Sequence, residues 1–288
     1  MKKKCALALI LGLLTVLTAC QAGNSTGNDG IDVISREQGS GTRTAFEELL
    51  EINNDKTQLM TSNVGIKDGN GLVATYIARN NSAIGYVSFA TLETNKASVH
   101  GLSIDGVEAS PENVINGTYG ISRPFVAIYQ EENLSEVDRA FIEFLGSVQG
   151  LSALEGAETI VDYTDAPQFD VSKYENLRGN MVLGGSTSTE RAVKEAAGVF
   201  KAMFPQVTYS YSATGSGSGI QNAQNGTYTI GFSSRSMTDS ELENGLKETT
   251  ICKDGIVFIV NNDNPIKNIS SQQIRDIYLG VIKSWDEL

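Results

Sequence analysis

The stretch IDVISREQGSGT at residues 31–42, with AFEELL following at 45–50, decides how the chain reads. A short run rich in β-branched residues gives way to a Gly/Ser/Thr turn. Ala45, Phe46, Leu49 and Leu50 then recur at helical spacing. The turn therefore sits where a strand hands over to a helix N-terminus. A second stretch follows the same grammar: MVLGGSTSTE at 181–190, then RAVKEAAGVFKAMF, in which Val193, Ala197, Phe200 and Phe204 share one helical face. Further matches keep register. Thirty residues after Gly39 comes Gly69-Asn70-Gly71-Leu72, and thirty after Gly185 comes GSGSGI at 215–220. Gly85 in AIGYVS (83–88) and Gly231 in TIGFSS (229–234) each lie forty-six residues beyond those same glycines. Coincidences at equal offsets predict two lobes built on one plan.

Strand signals extend the pattern. Residues 206–212 alternate around Val207, Tyr209 and Tyr211, whereas GIVFIV (255–260) is almost continuously apolar and suits a strand buried on both faces. Helical patterns recur at 137–145 and 272–278. Strands alternating with helices predict an α/β fold with a mostly parallel sheet in each lobe. In such sheets ligands bind beyond the carboxyl ends of the strands, so the lobes should face each other across a cleft.

The Gly/Ser/Thr turns suit a particular ligand. A helix N-terminus presents unpaired N–H groups and a positive dipole end. Glycine permits close backbone approach, and Ser or Thr adds a hydroxyl. Residues 39–42, 185–188 and 215–219 are three candidate sites for a tetrahedral oxyanion. Arg36 precedes the first, and Arg235 follows Ser233-Ser234. No stretch fits the nucleotide loop GxxxxGK[ST].

Composition excludes several classes. The 288 residues are 40% hydrophobic, enough for one large core or two smaller ones. Acidic side chains number 34 against 22 basic, a formal charge of −12 that argues against a broad nucleic-acid surface. One histidine (His100) and three cysteines, two of them within the first 20 residues, argue against a Cys/His zinc cage, and no cofactor is implied. Net acidity does not forbid anion binding, because distant surface charge is screened over about 8 Å at physiological ionic strength.

The N-terminus reads as an address. Lys2-Lys3-Lys4, an apolar run over 5–17 and Leu17-Thr18-Ala19-Cys20 predict a signal peptide at 1–19. The cysteine after Leu-Thr-Ala resembles a bacterial lipoprotein signal. That resemblance implies acylation of Cys20 and a flexible tether at 20–30, which carries QAGNSTGNDG. Cys5 leaves with the signal, so Cys252 is the one cysteine left without a role, and no intrachain disulfide is expected.

SREQGSGTR at 35–43, followed by Ala45-Phe46, resembles the signature of the phosphate-binding lipoproteins of phosphate ABC importers. GSTST (185–189), TGSGSGI (214–220), IGFSSR (230–235), DGIVFIVNNDNP (254–265), AIGYVS (83–88) and DGVEASPENV (105–114) fit the same family. The resemblance implies a two-lobed, type II periplasmic-binding-protein-like fold that closes on phosphate. The order of motifs differs, because GSTS opens most members and IKSWDEL, here at the end, normally leads into SREQGSGTR. This implies a circular permutation, with residue 30 and Leu288 close in space. Lobe one is then 31–122 plus 264–288 and lobe two 123–263, with crossings near 123–128 and 258–263.

Carried over from the family, Arg36 pairs with phosphate, while Ser40, Gly41 and Thr42 donate to it from one lobe and Thr187, Ser188 and Ser216 from the other. Ser234 falls where several members have an aspartate that accepts the proton of hydrogen phosphate. Gln38 and Arg235 stand behind these; Arg235 either adds a charge contact or braces its loop. The implied partners are inorganic phosphate, the permease subunits and, through lipid at Cys20, the cell membrane, with a monomer outside the cytoplasm as the working unit. Capture of sulfate or molybdate is the alternative, kept open by Ser234. A phosphatase or serine hydrolase lacks a base beyond His100, in the polar stretch NKASVHGLS. An adhesin has only the acidic surface to recommend it.

Overall fold

The computed structural model describes residues 30–288 except 55, 56, 59 and 62. The expected signal at 1–19, the acylated Cys20 and the tether up to residue 29 lie outside the described residues. In chain order the strands are β1 (Asp32–Arg36), β2 (Asn53–Asn54), β3 (Thr57–Gln58), β4 (Gly65–Lys67), β5 (Ala83–Ser88), β6 (Val99–Gly101), β7 (Ser103–Ile104), β8 (Ser122–Tyr129), β9 (Gly179–Gly185), β10 (Val207–Ala213), β11 (Ile230–Ser233), β12 (Lys247–Asn261) and β13 (Asn268–Ile269). The helices are α1 (Gly41–Leu49), α2 (Asn70–Ile77), α3 (Phe89–Asn95), α4 (Pro111–Ile115), α5 (Glu136–Leu145), α6 (Val148–Glu155), α7 (Glu190–Met203), α8 (Ser216–Gln224), α9 (Asp239–Leu242) and α10 (Ser271–Tyr278).

The main sheet runs β10-β9-β11-β8-β12-β5-β1-β4, with β6 also on β12. Its halves repeat each other. β1 lies parallel between β4 and β5, and β9 lies parallel between β10 and β11. Each trio is extended by one antiparallel strand, β12 on β5 and β8 on β11. Those two antiparallel strands pair with each other over 247–255 of β12. The glycines matched by offset do matching work: Gly69 (φ 85°, ψ 155°) caps α2 and Gly215 (φ 92°, ψ 156°) caps α8. A side chain at either position would strain the backbone, which is why both are glycine.

Two large separate cores follow, beside a smaller cluster around Val126, Ile128 and Ile220. Phe46, Tyr86, Phe258 and Tyr278 centre the first, with Phe46 ring centroids 4.4 Å from Tyr86 and 4.6 Å from Tyr278. Phe141, Phe144, Phe200 and Phe204 centre the second, with 5.3 Å between Phe141 and Phe200. Burying each such ring stabilises the fold by about 2–3 kcal/mol. From Ile121, just before β8, to Phe125 within it the packing changes from the first core to the second; along β12 it changes from the second at Cys252 to the first at Ile256. The second passage thus lies at 253–255, not at the expected 258–263. The apolar run from Ile256 to Val260 pairs with β5 and belongs to the first core, so the boundary falls at Lys253-Asp254-Gly255, where that run begins.

The described ends meet in the first half. Gly30 bridges to Ser284, and the Ile31 N–H donates to the Lys283 carbonyl at 2.7 Å. Trp285 packs on the first core and donates from Nε1 to the Ser82 carbonyl at 3.0 Å. Cys252 is free and buried, and burial pushes its thiol up to about 12. Among the described residues no helix is long and apolar enough to cross a membrane.

Candidate functional site

Arg36 closes β1, only 1% exposed. Its Nε and Nη2 donate to the two Glu37 carboxylate oxygens at 2.8 and 2.7 Å. Nη1 donates to Asn70 Oδ1 at 2.5 Å and to Thr42 Oγ1 at 3.2 Å. From the same guanidinium, Nη2 reaches Thr187 Oγ1 of the other half at 2.9 Å. Burial pushes the Glu37 carboxyl up, but the hydrogen bonds and charge of Arg36 and the Gly69 N–H outweigh it and hold Glu37 below the usual carboxylate range.

The second half answers with hydroxyls. Ser188 Oγ lies 3.0 Å from Thr42 Oγ1, accepts from Asn70 Nδ2 at 2.9 Å and accepts from Arg123 Nη2 at 3.1 Å. Ser234 Oγ accepts from Ser186 Oγ at 3.0 Å and lies 3.3 Å from Ser216 Oγ, whose oxygen accepts the Ser234 N–H at 3.1 Å. The Gly217 N–H donates across to the Gly39 carbonyl at 3.2 Å. The first turns of α1, α2 and α8 and the turn leading into α7 therefore converge. Their N–H groups and dipole ends make the meeting point hospitable to an anion.

Arg36, Thr42, Thr187, Ser188, Ser216 and Ser234 are joined in this one network. Gly41 touches it: a Cβ there would fall 2.3 Å from Ser216 Oγ. Ser40 is buried beside it, with Oγ accepting the Arg43 N–H as the cap of α1. The two supporting residues stand outside the network. Gln38 is exposed on the turn, and Glu37 holds the arginine instead. Arg235 donates from Nη1 and Nη2 to both Glu241 carboxylate oxygens at 2.8 Å and from Nη1 to the Ser236 carbonyl, so it braces the loop against α9. His100 contacts the Ile266 carbonyl at 2.8 Å from β6, outside the network.

Sequence reasoning missed Asn70, Arg123 and Asp254, while Ser186 lay within the 185–188 candidate turn without a role of its own. Asn70 had a signal, because it follows Gly69 as Ser216 follows Gly215 in the repeat. Arg123 is a charge near the start of the largely apolar β8, and Asp254 stands just before the apolar run of β12. Asp254 Oδ2 accepts from Arg123 Nε and Nη2 at 3.2 and 2.8 Å, and Oδ1 accepts the Phe89 N–H at 2.9 Å. Burial pushes Asp254 up to about 6 against the pull of Arg123, and burial lowers Arg123 as well.

A profile of the PBP superfamily domain matches residues 5–148 and 171–288. The phosphate-binding protein PstS 2 of Streptococcus pneumoniae serotype 4 is 33% identical over 295 residues, covering 100% of this chain and 99% of the relative. The chain belongs to the PstS family of the PBP superfamily. Its counterpart PstS 2 in Streptococcus agalactiae serotype V is 32% identical, covering 99% of this chain and 98% of the relative. The crystal structure of a phosphate ABC transporter phosphate-binding protein from S. pneumoniae TIGR4 superposes with a TM-score of 0.72 at 33% identity, covering 90% of this chain and 99% of that one. The fold is accordingly the two-lobed, type II periplasmic-binding-protein arrangement common to this family.

Proposed function

We infer that this chain captures inorganic phosphate between its lobes outside the cytoplasm and delivers it to the permease of an ABC importer. The observation that carries this reading is the buried Arg36 guanidinium, ringed by Thr42 of its own half and Thr187 of the other. A guanidinium meets two phosphate oxygens with parallel charge-assisted hydrogen bonds. Hydroxyls of Thr42, Thr187, Ser188, Ser216 and Ser234, with backbone N–H groups from 40–42, supply neutral donors for the remaining oxygens. Lobe one is taken as 31–122 plus the segment from 256 on, and lobe two as 125–252. Opening and closing about 122–124 and 253–255 is a hinge motion that admits and buries the anion. Because binding contacts come from both lobes, the anion favours the closed form by its differential affinity for it. Nothing in this arrangement calls for a bond to break, so no turnover is expected.

The pairing of Gly30 with Ser284 supports the circular permutation. A chain rejoined from Leu288 to Gly30 and opened between Glu175 and Asn176 should fold and bind phosphate; failure to fold counts against it. Cys20 carries the lipid in this reading, and the protein works as a monomer. One observation favours a second reading: Ser234 brings a hydroxyl where an aspartate would repel sulfate. Equilibrium dialysis with radiolabelled phosphate separates the two. Retention of label in a large excess of sulfate is expected, displacement by equimolar sulfate points to a broader oxyanion carrier, and failure to retain label at all removes the phosphate reading.

A further inference from the structure

The geometry points to Arg123 as a second cationic ligand of the captured anion, with Asp254 as the residue that positions it; this rests on the phosphate reading above. Arg123 is the one guanidinium besides Arg36 that reaches the convergent hydroxyls among the described residues. Its side chain is 2% exposed, and Nη1 and Nη2 donate to Ser234 Oγ at 3.2 Å and Ser188 Oγ at 3.1 Å, two of the serines expected to hold phosphate. It lies in β8 directly across from Asp254 of β12, at the passages between the lobes. The anion's second charge contact thus belongs to neither lobe but to the hinge strands themselves.

The two arginines are held alike. Glu37 grips Arg36 and accepts the N–H of Gly69, the cap of α2; Asp254 grips Arg123 and accepts the N–H of Phe89, the first residue of α3. Each carboxylate is anchored to a helix start and fixes the plane of its guanidinium. A buried ion pair contributes little to stability against an apolar pair of the same volume, since desolvating two charges costs about what their attraction returns. A binding role explains its place here: Asp254 neutralises the arginine, and the N–H groups directed at Ser188 and Ser234 stay available to a neighbouring anion. It also offers a physical account of Ser234. Where a family aspartate stands at this position it would form an ion pair with Arg123 and occupy that donor; serine leaves the guanidinium free to face the ligand.

Calorimetric titration with inorganic phosphate at pH 7 tests this on the chain from residue 20 carrying Cys20→Ser, with melting curves run on every variant. Arg123→Gln with Asp254→Asn removes both charges while keeping polar groups of similar shape, so it avoids an orphaned buried charge. It should bind phosphate about 10- to 100-fold more weakly than wild type, the range of a charge-assisted hydrogen bond. Arg123→Lys, which leaves Asp254 a partner, should lose about tenfold and serves if Arg123→Gln alone does not fold. Asp254→Asn should weaken binding when Arg123 is present and add nothing when position 123 is already changed, whereas a merely structural carboxylate would cost the same in both backgrounds. Binding by the double variant within about twofold of wild type, with Arg36→Ala inactive, overturns this inference and leaves the phosphate reading standing. No phosphate heat from the wild type removes that reading and this one together.

Discussion

Thr42 Oγ1 and Ser188 Oγ lie 3.0 Å apart although 146 residues separate them, one at the start of α1 and the other just before α7. α1 packs on the first core and α7 on the second, so at this point the two halves meet through hydroxyls. Such a contact is cheap to break in water, because each hydroxyl exchanges its partner for a solvent molecule. An anion that accepts from both makes closure favourable.

Gly41 tests how tight that meeting is. An added Cβ would lie 2.3 Å from Ser216 Oγ and 2.6 Å from Ser234 Oγ, both in the opposite half. Gly41→Ala should keep the melting temperature within a few degrees while weakening phosphate binding at least tenfold, because only closure is obstructed. Small-angle scattering should show no phosphate-induced compaction in the variant. Wild-type affinity would mean that the halves approach each other less closely than described.

The matched caps make a symmetric prediction. Gly69 and Gly215 both hold positive φ with extended ψ, a region that L side chains avoid. Alanine at either should cost about 1–3 kcal/mol and lower the melting temperature by several degrees. Gly215→Ala should be the worse of the two, since its Cβ also meets the Gly39 carbonyl oxygen at 3.3 Å. Thermal unfolding of the pair checks the order; equal or negligible losses would contradict it.

Stability should also respond to pH through two carboxylates with opposite signs. Asp254 is raised to about 6, so the folded chain binds this proton more tightly than the unfolded chain, where the group titrates near 3.9. Its contribution is fullest below about pH 4 and fades as pH rises to about 6, by at most about 3 kcal/mol. Glu37 is lowered, so its contribution is present above its ordinary range and is lost as pH falls through its folded value. Urea unfolding from pH 4.5 to 7.5 should show wild type losing ground to the Arg123→Gln/Asp254→Asn variant as pH rises. Curves that run parallel would contradict the assignment to Asp254.

Cys20→Ser separates the anchor from the binding domain. In bacterial cells labelled with radioactive palmitate, the wild type should carry label and sediment with membranes, and the variant should do neither. Label surviving in the variant would place the lipid elsewhere.

Much of the fold was legible because the repeat fixes it: Gly39 and Gly69 against Gly185 and Gly215 mark matching strand-to-helix passages, and Gly85 and Gly231 lie inside the matching strands β5 and β11. The loop hydroxyls were legible for the same reason, as helix starts announce themselves by Gly, Ser and Thr. The second lobe passage was not, because GIVFIV looks the same whether a strand stays in one core or changes cores midway. Arg123 and Asp254 escaped because neither has its partner nearby in the sequence; their pairing depends on the β8–β12 register across 131 residues. Asn70 escaped only because asparagine is not a hydroxyl residue, although its place in the repeat matched that of Ser216.

The central claim is that a phosphate ion is held at Arg36 between the lobes. Titration calorimetry of residues 30–288 at neutral pH, after unfolding and refolding to strip carried-over phosphate, tests it most directly. The account predicts one-to-one phosphate binding that Arg36→Ala abolishes in a variant that still melts cooperatively. Phosphate binding by Arg36→Ala at wild-type affinity, or silence from the wild type, would contradict it.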